Sequence, residues 1–250
     1  MALLEVKDLK VSYGDLEVVH GISFEVEAGE VVALLGANGA GKSSVMRAIS
    51  GLLVPSGGSV VLDGRSLVGV EAHELVEMGL RHVPEGRKIF APLSVEENLR
   101  LGGYSARKEG ALLNQRINEV YERFPVLGER RKQLGGTLSG GEQQMLAVGR
   151  ALVTGPRIVA FDEPSLGLSP KMSSLILDTI SEIADAGTGV LLVEQNAREA
   201  LKIAGRAYVL DLGNMVIEGS ADEVAADSRI QATYLGGDID EAEIAEGDDE

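Results

Sequence analysis

The stretch Gly36-Ala37-Asn38-Gly39-Ala40-Gly41-Lys42-Ser43-Ser44 constrains this chain more than any other part of it. It follows the apolar run Val31-Val32-Ala33-Leu34-Leu35, which reads as a buried strand. It precedes Val45-Met46-Arg47-Ala48-Ile49, the opening turns of a helix that ends at Gly51. Strand, G-x-x-x-x-G-K-S and helix in that order make a phosphate-binding loop in its diagnostic setting. The glycines let the backbone curl until successive N–H groups point inward at phosphate oxygens. The helix N-terminus adds partial positive charge at the same place. In this reading Lys42 bridges the outer phosphates and the Ser43 hydroxyl ligates Mg²⁺. A glycine-rich turn with an exposed lysine is the bland alternative, and the flanking strand and helix argue against it. The chain is read as binding a nucleoside triphosphate.

With 250 residues the chain can bury a full core, as one large domain or a core with a subdomain. The absence of cysteine excludes disulfides and thiolate metal sites. The opening Met1-Ala2-Leu3-Leu4-Glu5-Val6-Lys7 lacks the long apolar segment of a signal peptide. No stretch approaches the ~20 apolar residues of a membrane span. A soluble cytoplasmic protein, able to dock on a membrane protein, is the expectation. Half of the formal charge of −16 lies in residues 238–250, DIDEAEIAEGDDE, which hold eight acids and no base. An acidic body repels phosphate backbones, so no nucleic-acid partner is expected. The acidic stretch reads as a disordered, solubilising tail, with a docking element as the alternative.

Residues 3–26 alternate apolar and polar positions in two runs, which predicts antiparallel strands around a turn at Gly14-Asp15. Gly57–Gly64 predicts another short strand between turns. From about 94 to 153 the pattern becomes helical, opening with the capping box Ser94-Val95-Glu96-Glu97. After residue 157 strand and helix alternate. A strand at Ile158–Phe161 precedes a helix from Ser169-Pro170 to Ala186, stopped by Gly187. A strand at Val190–Val193, a helix near 197–204 and a strand near 207–211 follow. Such alternation implies an α/β fold with a parallel sheet covered by helices. Residues 94–153 are then a helical insertion in one nucleotide-binding core, which spans 1–237.

Two further motifs carry chemistry. Ile158-Val159-Ala160-Phe161-Asp162-Glu163-Pro164 is a buried strand that ends in two acids, a costly arrangement unless the acids have a task. Asp162 orients Mg²⁺, usually through water, and Glu163 sits where a water attacks the γ-phosphate. A strand that merely ends at a solvated turn is the alternative. Leu138-Ser139-Gly140-Gly141-Glu142-Gln143-Gln144 opens an apolar helix, and a serine and two glycines at a helix start favour an anion. An ordinary N-cap reads the same way, but this one lies shortly before the Asp-Glu strand.

With these motifs in order, residues 3–235 resemble the ATP-binding subunit of ABC transporters. GANGAGKSS matches the Walker A loop, LSGGEQQ the family signature and IVAFDEP the Walker B strand. The resemblance implies a P-loop NTPase core of the RecA-like kind with an N-terminal antiparallel β subdomain and an inserted helical subdomain. It implies ATP and Mg²⁺ as ligands. Tyr13 sits where the family places an aromatic that stacks on adenine; a strand aromatic is the alternative. Gly36, Asn38, Gly39, Ala40, Gly41, Lys42, Ser43 and Ser44 hold the phosphates. In this family the signature of one subunit closes over the ATP of the other, so Ser139, Gly140 and Gly141 serve a site completed by a second ABC ATPase subunit. Two membrane permease subunits are the further partners, and an external solute-binding protein acts indirectly through them. The implied location is the inner face of the cell membrane.

Three positions depart from the family's usual text. Glu85, in Val83-Pro84-Glu85-Gly86-Arg87, stands where glutamine usually senses the γ-phosphate; its carboxylate can coordinate Mg²⁺. Gln195, in Val193-Glu194-Gln195-Asn196, replaces the switch histidine and can donate a hydrogen bond but carries no proton at neutral pH. Ser169 stands where aspartate is common. A weak or regulatory ATPase is one reading of these departures. The other is a branch of the family: VPEGRKIFAPLSVEENL, GTLSGGEQQMLAVGRAL, VEQNAREAL and the late Tyr234-Leu235-Gly236 resemble ATPases of branched-chain amino-acid importers. Urea and amide importers and non-transport ABC ATPases are the rivals. The histidines His20, His73 and His82 lack metal-ligand spacing and read as structural or surface residues. Arg87 and Lys88 are either a solvated loop or a permease contact, and Arg130-Arg131-Lys132 is equally open.

Overall fold

The computed structural model describes residues 2–106 and 110–234. The acidic stretch 238–250 and the Leu235-Gly236 part of the late motif lie outside the described residues.

The chain forms two sheets. The antiparallel sheet has the order β2-β1-β4-β5, from β1 (Leu4–Tyr13), β2 (Leu16–Val26), β4 (Gly57–Leu62) and β5 (Arg65–Ser66). The turn between β1 and β2 is at Gly14-Asp15, where Gly14 takes φ 60. The second sheet has the order β10-β9-β3-β8-β7-β6. Its strands are β3 (Val31–Leu35), β6 (Leu80–Val83), β7 (Ile158–Asp162), β8 (Gly189–Glu194), β9 (Arg206–Asp211) and β10 (Asn214–Ser220). All neighbours in it pair in parallel except β10, which closes the edge antiparallel to β9.

The buried strands β3, β7 and β8 are apolar on both faces because both faces are covered. The period of two sorts their side chains between two cores. Val31, Ala33 and Leu35 join one cluster with Val159, Phe161, Val190 and Leu192. Val32 and Leu34 join the other with Ile158, Ala160, Leu191 and Val193. The first core is roofed by helices of the 94–153 region, α3 (Val95–Gly102), α4 (Gly110–Arg123), α5 (Pro125–Glu129) and α6 (Gly140–Leu152), together with α7 (Pro170–Asp185) and α8 (Ala197–Leu201). The second is closed by α1 (Lys42–Ile49), α2 (Ala72–Glu77) and the antiparallel sheet. Of two short helices, α9 (Ala221–Ala226) packs beside β9 and β10, and α10 (Ser228–Tyr234) packs on α9.

Helix boundaries follow local chemistry. Ser94 and Glu97 form the expected capping box at α3, and Ser139 and Glu142 form another at α6. At α7 Pro170 occupies the first turn, while Ser169 is extended but makes no side-chain cap bond. Helix α8 stops at Leu201, earlier than the apolar spacing suggests, and the chain turns toward β9.

Candidate functional site

The phosphate loop is shaped by what stands behind it. β3 delivers the chain to Gly36, where a Cβ would run into the Leu210 carbonyl oxygen. Gly39 and Gly41 hold φ of 84 and 110, so the loop can curl back to α1 without strain. Gly41 caps α1 in the left-handed conformation, and Ser44 and Val45 both donate their N–H to its carbonyl. Ala40 is buried, and its carbonyl accepts from Gly213 N–H at 2.9 Å. Gly36 and Ala40 therefore brace the loop against β9 and its following turn. Ala37, Asn38, Gly39, Gly41, Lys42, Ser43 and Ser44 face a cleft of about 440 Å³, within the range of small-molecule sites.

Lys42 is 4% exposed. Its Nζ donates to the carbonyls of Gly36 at 2.7 Å and Ala37 at 3.1 Å, and stands 3.4 Å from Glu163 Oε1. Strand β7, two places along the sheet from β3 with β8 between them, brings in the acids. Asp162 ends that strand and is buried. Glu163 follows at φ 47, an uncommon backbone conformation for a side chain of this kind, and its N–H is held by the Val193 carbonyl at 2.9 Å. Burial, with the carboxylates of Glu163 and Glu85 nearby, pushes Asp162 up to about 6, against the pull of Lys42 and Arg47. Three carboxylates at the mouth of a phosphate loop fit a divalent cation better than they fit one another. Among the described residues no group of three or more His, Cys, Asp or Glu forms a ready-made metal cage. Mg²⁺ rarely uses one: it keeps waters and takes one or two carboxylates together with substrate phosphates.

Glu85 and Gln195 also line the cleft. Gln195 follows β8, and the preceding Glu194, 3% exposed, accepts from Ser165 N–H at 3.1 Å. That bond ties the turn after Glu163 to the strand that carries Gln195. Burial raises the Glu194 carboxyl above its usual range. Glu194 was not singled out by any motif, and its only signal in the sequence is an acid directly after an apolar strand. Val18 and Leu166 line the cleft without any sequence signal.

Tyr13 stands beside the cleft rather than in its lining. The residue is 42% exposed, while its hydroxyl lies 3.3 Å from Ser44 Oγ and accepts from Arg47 at 3.0 Å. Ser139, Gly140 and Gly141 are not brought to this cleft by the single chain. They open α6, where Glu142 accepts from Ser139 N–H at 2.8 Å and pairs with Arg130 at 2.9 Å. A Cβ at Gly140 would lie 2.8 Å from the Arg87 guanidinium, and one at Gly141 would lie 2.6 Å from Met172, so both are places of close approach. Two larger clefts among the described residues, of about 620 and 650 Å³, are not lined by the phosphate loop, although the second shares Glu163, Leu166 and Gln195 with its cleft.

The family model that describes the ABC transporter matches residues 19–166. The chain belongs to the ABC transporter family. It is 42% identical over 235 residues, 94% of this chain and all of the relative, to the high-affinity branched-chain amino acid transport ATP-binding protein BraG of Pseudomonas aeruginosa. It is 34% identical, over 94% of this chain and 99% of the relative, to the probable branched-chain amino acid transport ATP-binding protein LivF of Archaeoglobus fulgidus. The lipopolysaccharide export system ATP-binding protein LptB of Escherichia coli is 32% identical over 96% of this chain and 99% of its own length. Among solved structures, an ATP-binding cassette of an ABC transporter in its ADP conformation superposes with a TM-score of 0.84 at 25% identity, covering 94% of this chain and 99% of that one. The activity of this ABC ATPase is ATP hydrolysis, and among its described residues no helix is long and apolar enough to cross a membrane.

Proposed function

We propose that this ABC ATPase is the energy-coupling subunit of an importer for branched-chain amino acids. The observation that carries the reading is the gathering of Lys42, Ser43, Glu85, Glu163 and Gln195 around one cleft, with Asp162 at the end of β7. The 42% identity to BraG and the 34% to LivF support the solute. The match to LptB motivates a second reading, export of a lipid-linked cargo.

In the proposed chemistry Lys42 and the loop N–H groups bind the phosphates, and Tyr13 stacks on the base. Ser43 and Asp162 hold Mg²⁺, with Glu85 beside them, and the metal supplies neutralisation of phosphate charge. Glu163 accepts a proton from the attacking water as its oxygen bonds to the γ-phosphorus and the bond to ADP breaks. Gln195 donates its amide N–H toward the γ-phosphate, a role an amide can fill without a change of charge. Ser139, Gly140 and Gly141, left outside the cleft by the single chain, complete the site of a second ATPase subunit, identical or similar. Two permease subunits anchor the pair at the inner face of the membrane, with an external solute-binding protein on the far side.

The test is affinity isolation of the chain from solubilised native membranes, followed by reconstitution of what is recovered. Recovery of multi-span permeases, a second ATPase chain and ATP-dependent leucine uptake supports the reading. Recovery of a lipid exporter, or uptake unchanged by Glu163→Gln, rejects it.

A further inference from the structure

The loop that lends Glu85 to the nucleotide cleft also lends Pro84, Arg87 and Lys88 to a second groove of about 380 Å³. β6 forms one side of this groove through Arg81 and His82, and α6 forms another through Ala147, Arg150 and Ala151. Among the described residues no acid lines it, and Arg81, Arg87, Lys88 and Arg150 make no ion pair.

The cations are held by neutral partners. Arg81 donates to Thr154 Oγ1 at 2.7 Å and to Ser105 Oγ at 3.3 Å. Arg150 donates to the Lys88 carbonyl at 2.7 Å, and its guanidinium lies 4.6 Å from the centre of the Phe90 ring. Arg150 Nε and His82 Nε2 are buried with no hydrogen-bond partner. Burial lowers Arg81 to about 10 and His82 to about 4, so His82 is neutral while the arginines keep their charge. In a chain of net charge −16 this is a concentrated patch of the opposite sign. Half-exposed Phe90 and Leu101 add an apolar rim. Such a groove suits an acidic segment with apolar residues spaced through it.

We infer that this groove binds an acidic peptide segment, and that its occupant is residues 238–250 of the same chain. The segment carries eight acids, no base, and Ile239 and Ile244 among them. The span is sufficient. Tyr234 ends α10, which packs on α9 against the β10 edge, while the groove lies at the β6 edge. Five strand spacings separate those edges in the order β10-β9-β3-β8-β7-β6, about 24 Å at ~4.8 Å each. Residues 238–250 begin four positions after Tyr234 and end sixteen positions after it. Extended chain covers about 3.3–3.6 Å per residue, or more than 50 Å by residue 250. Occupation would cover the outer side of the loop whose other side presents Glu85 to nucleotide. The inference needs neither nucleotide nor permease, so it stands or falls apart from the transport reading.

The test uses the full chain with a photo-crosslinking residue, Ala245→p-benzoylphenylalanine, irradiated while monomeric and mapped by mass spectrometry. The expected result is intramolecular cross-linking into peptides 81–90 or 147–151. The yield should fall at least about threefold on reversal of one exposed charge, Lys88→Glu, and likewise at about 1 M salt, where the Debye length is ~3 Å. A third arm replaces all eight acids by their amides, which leaves the folded body untouched and should abolish the groove products. Cross-links scattered over other surfaces, products insensitive to salt and to the amide tail, or links between two chains would overturn the inference.

Discussion

Two clefts flank the loop from Val83 to Lys88, and they are opposite in sign. The nucleotide cleft draws Glu85, Asp162 and Glu163 toward a loop of N–H groups and one buried lysine. The groove behind it gathers three arginines and a lysine, with no acid among the described residues. Like charges collected in partly buried places raise the free energy of the fold. Burial and the nearby carboxylates move Asp162 up to about 6 in one cleft, and burial alone moves Arg81 down to about 10 in the other, each toward its neutral form. A ligand of opposite charge offsets both costs: a metal–nucleotide complex in the first, an acidic segment in the second. Substitutions in each cleft decide whether that symmetry holds, and in which cleft the charge is used for chemistry.

The largest effect separates chemistry from charge. Glu163→Gln keeps the shape of the cleft and removes the proton acceptor. ATP hydrolysis by the assembled complex should fall by about 10²–10⁴-fold, while ATP binding by equilibrium dialysis stays within a few-fold. Hydrolysis at the unsubstituted rate would mean that the acids at the end of β7 serve charge alone.

Asp162→Asn tests the electrostatic cost. The folded pKa of Asp162, about 6, lies above the ordinary 3.8. Between those values the folded state binds more protons than the unfolded state, so this group's contribution to stability declines as pH rises from about 4 to 6. The full penalty above that window is of order 3 kcal/mol. Without divalent cations, Asp162→Asn should therefore melt later than the unsubstituted chain at pH 7, and the difference should vanish near pH 4. Equal melting at both pH values would remove the strain argued for this cleft.

Lys42→Ala probes the positive member of the same cleft. Charge-assisted hydrogen bonds contribute roughly 1.5–3 kcal/mol, so nucleotide affinity should weaken by about 10- to 100-fold in a direct binding titration. Lys42 also bonds the carbonyls of Gly36 and Ala37. The melting point should fall as well, which distinguishes Lys42 from a side chain that meets only the ligand.

The two clefts also differ in how much the sequence discloses. Gly36 to Ser44 is one contiguous stretch, and β3 and α1 beside it have strong apolar patterns, so loop, strand and helix are all legible. The same holds for β7, whose five buried residues run straight into Asp162 and Glu163. The capping boxes at Ser94 and Ser139 mark α3 and α6 because they are local chemistry. The groove has no such signature. Lys88 and Arg150 lie 62 positions apart and meet only when α6 packs beside β6. β6 itself is missed because Leu80-Arg81-His82-Val83 does not alternate: its two central residues are half-buried by tertiary packing, not by pattern. β10 is missed for a related reason. It is an antiparallel edge of mostly half-exposed residues, closed onto β9 by a turn at Leu212-Gly213, where both residues have positive φ. Roles resting on one residue's neighbours in space, such as Glu194 holding Ser165, were likewise beyond a linear reading.

The smallest effect has the more telling sign. Arg81 keeps its charge beneath partial burial with two hydroxyl partners among the described residues. Arg81→Met retains the apolar stem and removes an uncompensated charge, a change that is often neutral or stabilising for buried ions. The lost hydrogen bonds offset part of the gain, about 1.5 kcal/mol for the one to Thr154 at 2.7 Å and less for the longer one to Ser105 at 3.3 Å. A net stabilisation of about 1 kcal/mol is expected from denaturant unfolding of a chain whose acidic stretch 238–250 has been converted to amides. With the native acids present the gain should shrink, because the arginine then has a counter-charge to lose. A destabilisation of several kcal/mol in both backgrounds would make Arg81 a structural tie between β6 and the turn at Thr154. The groove would then be a by-product of packing rather than a counterpart of the nucleotide cleft.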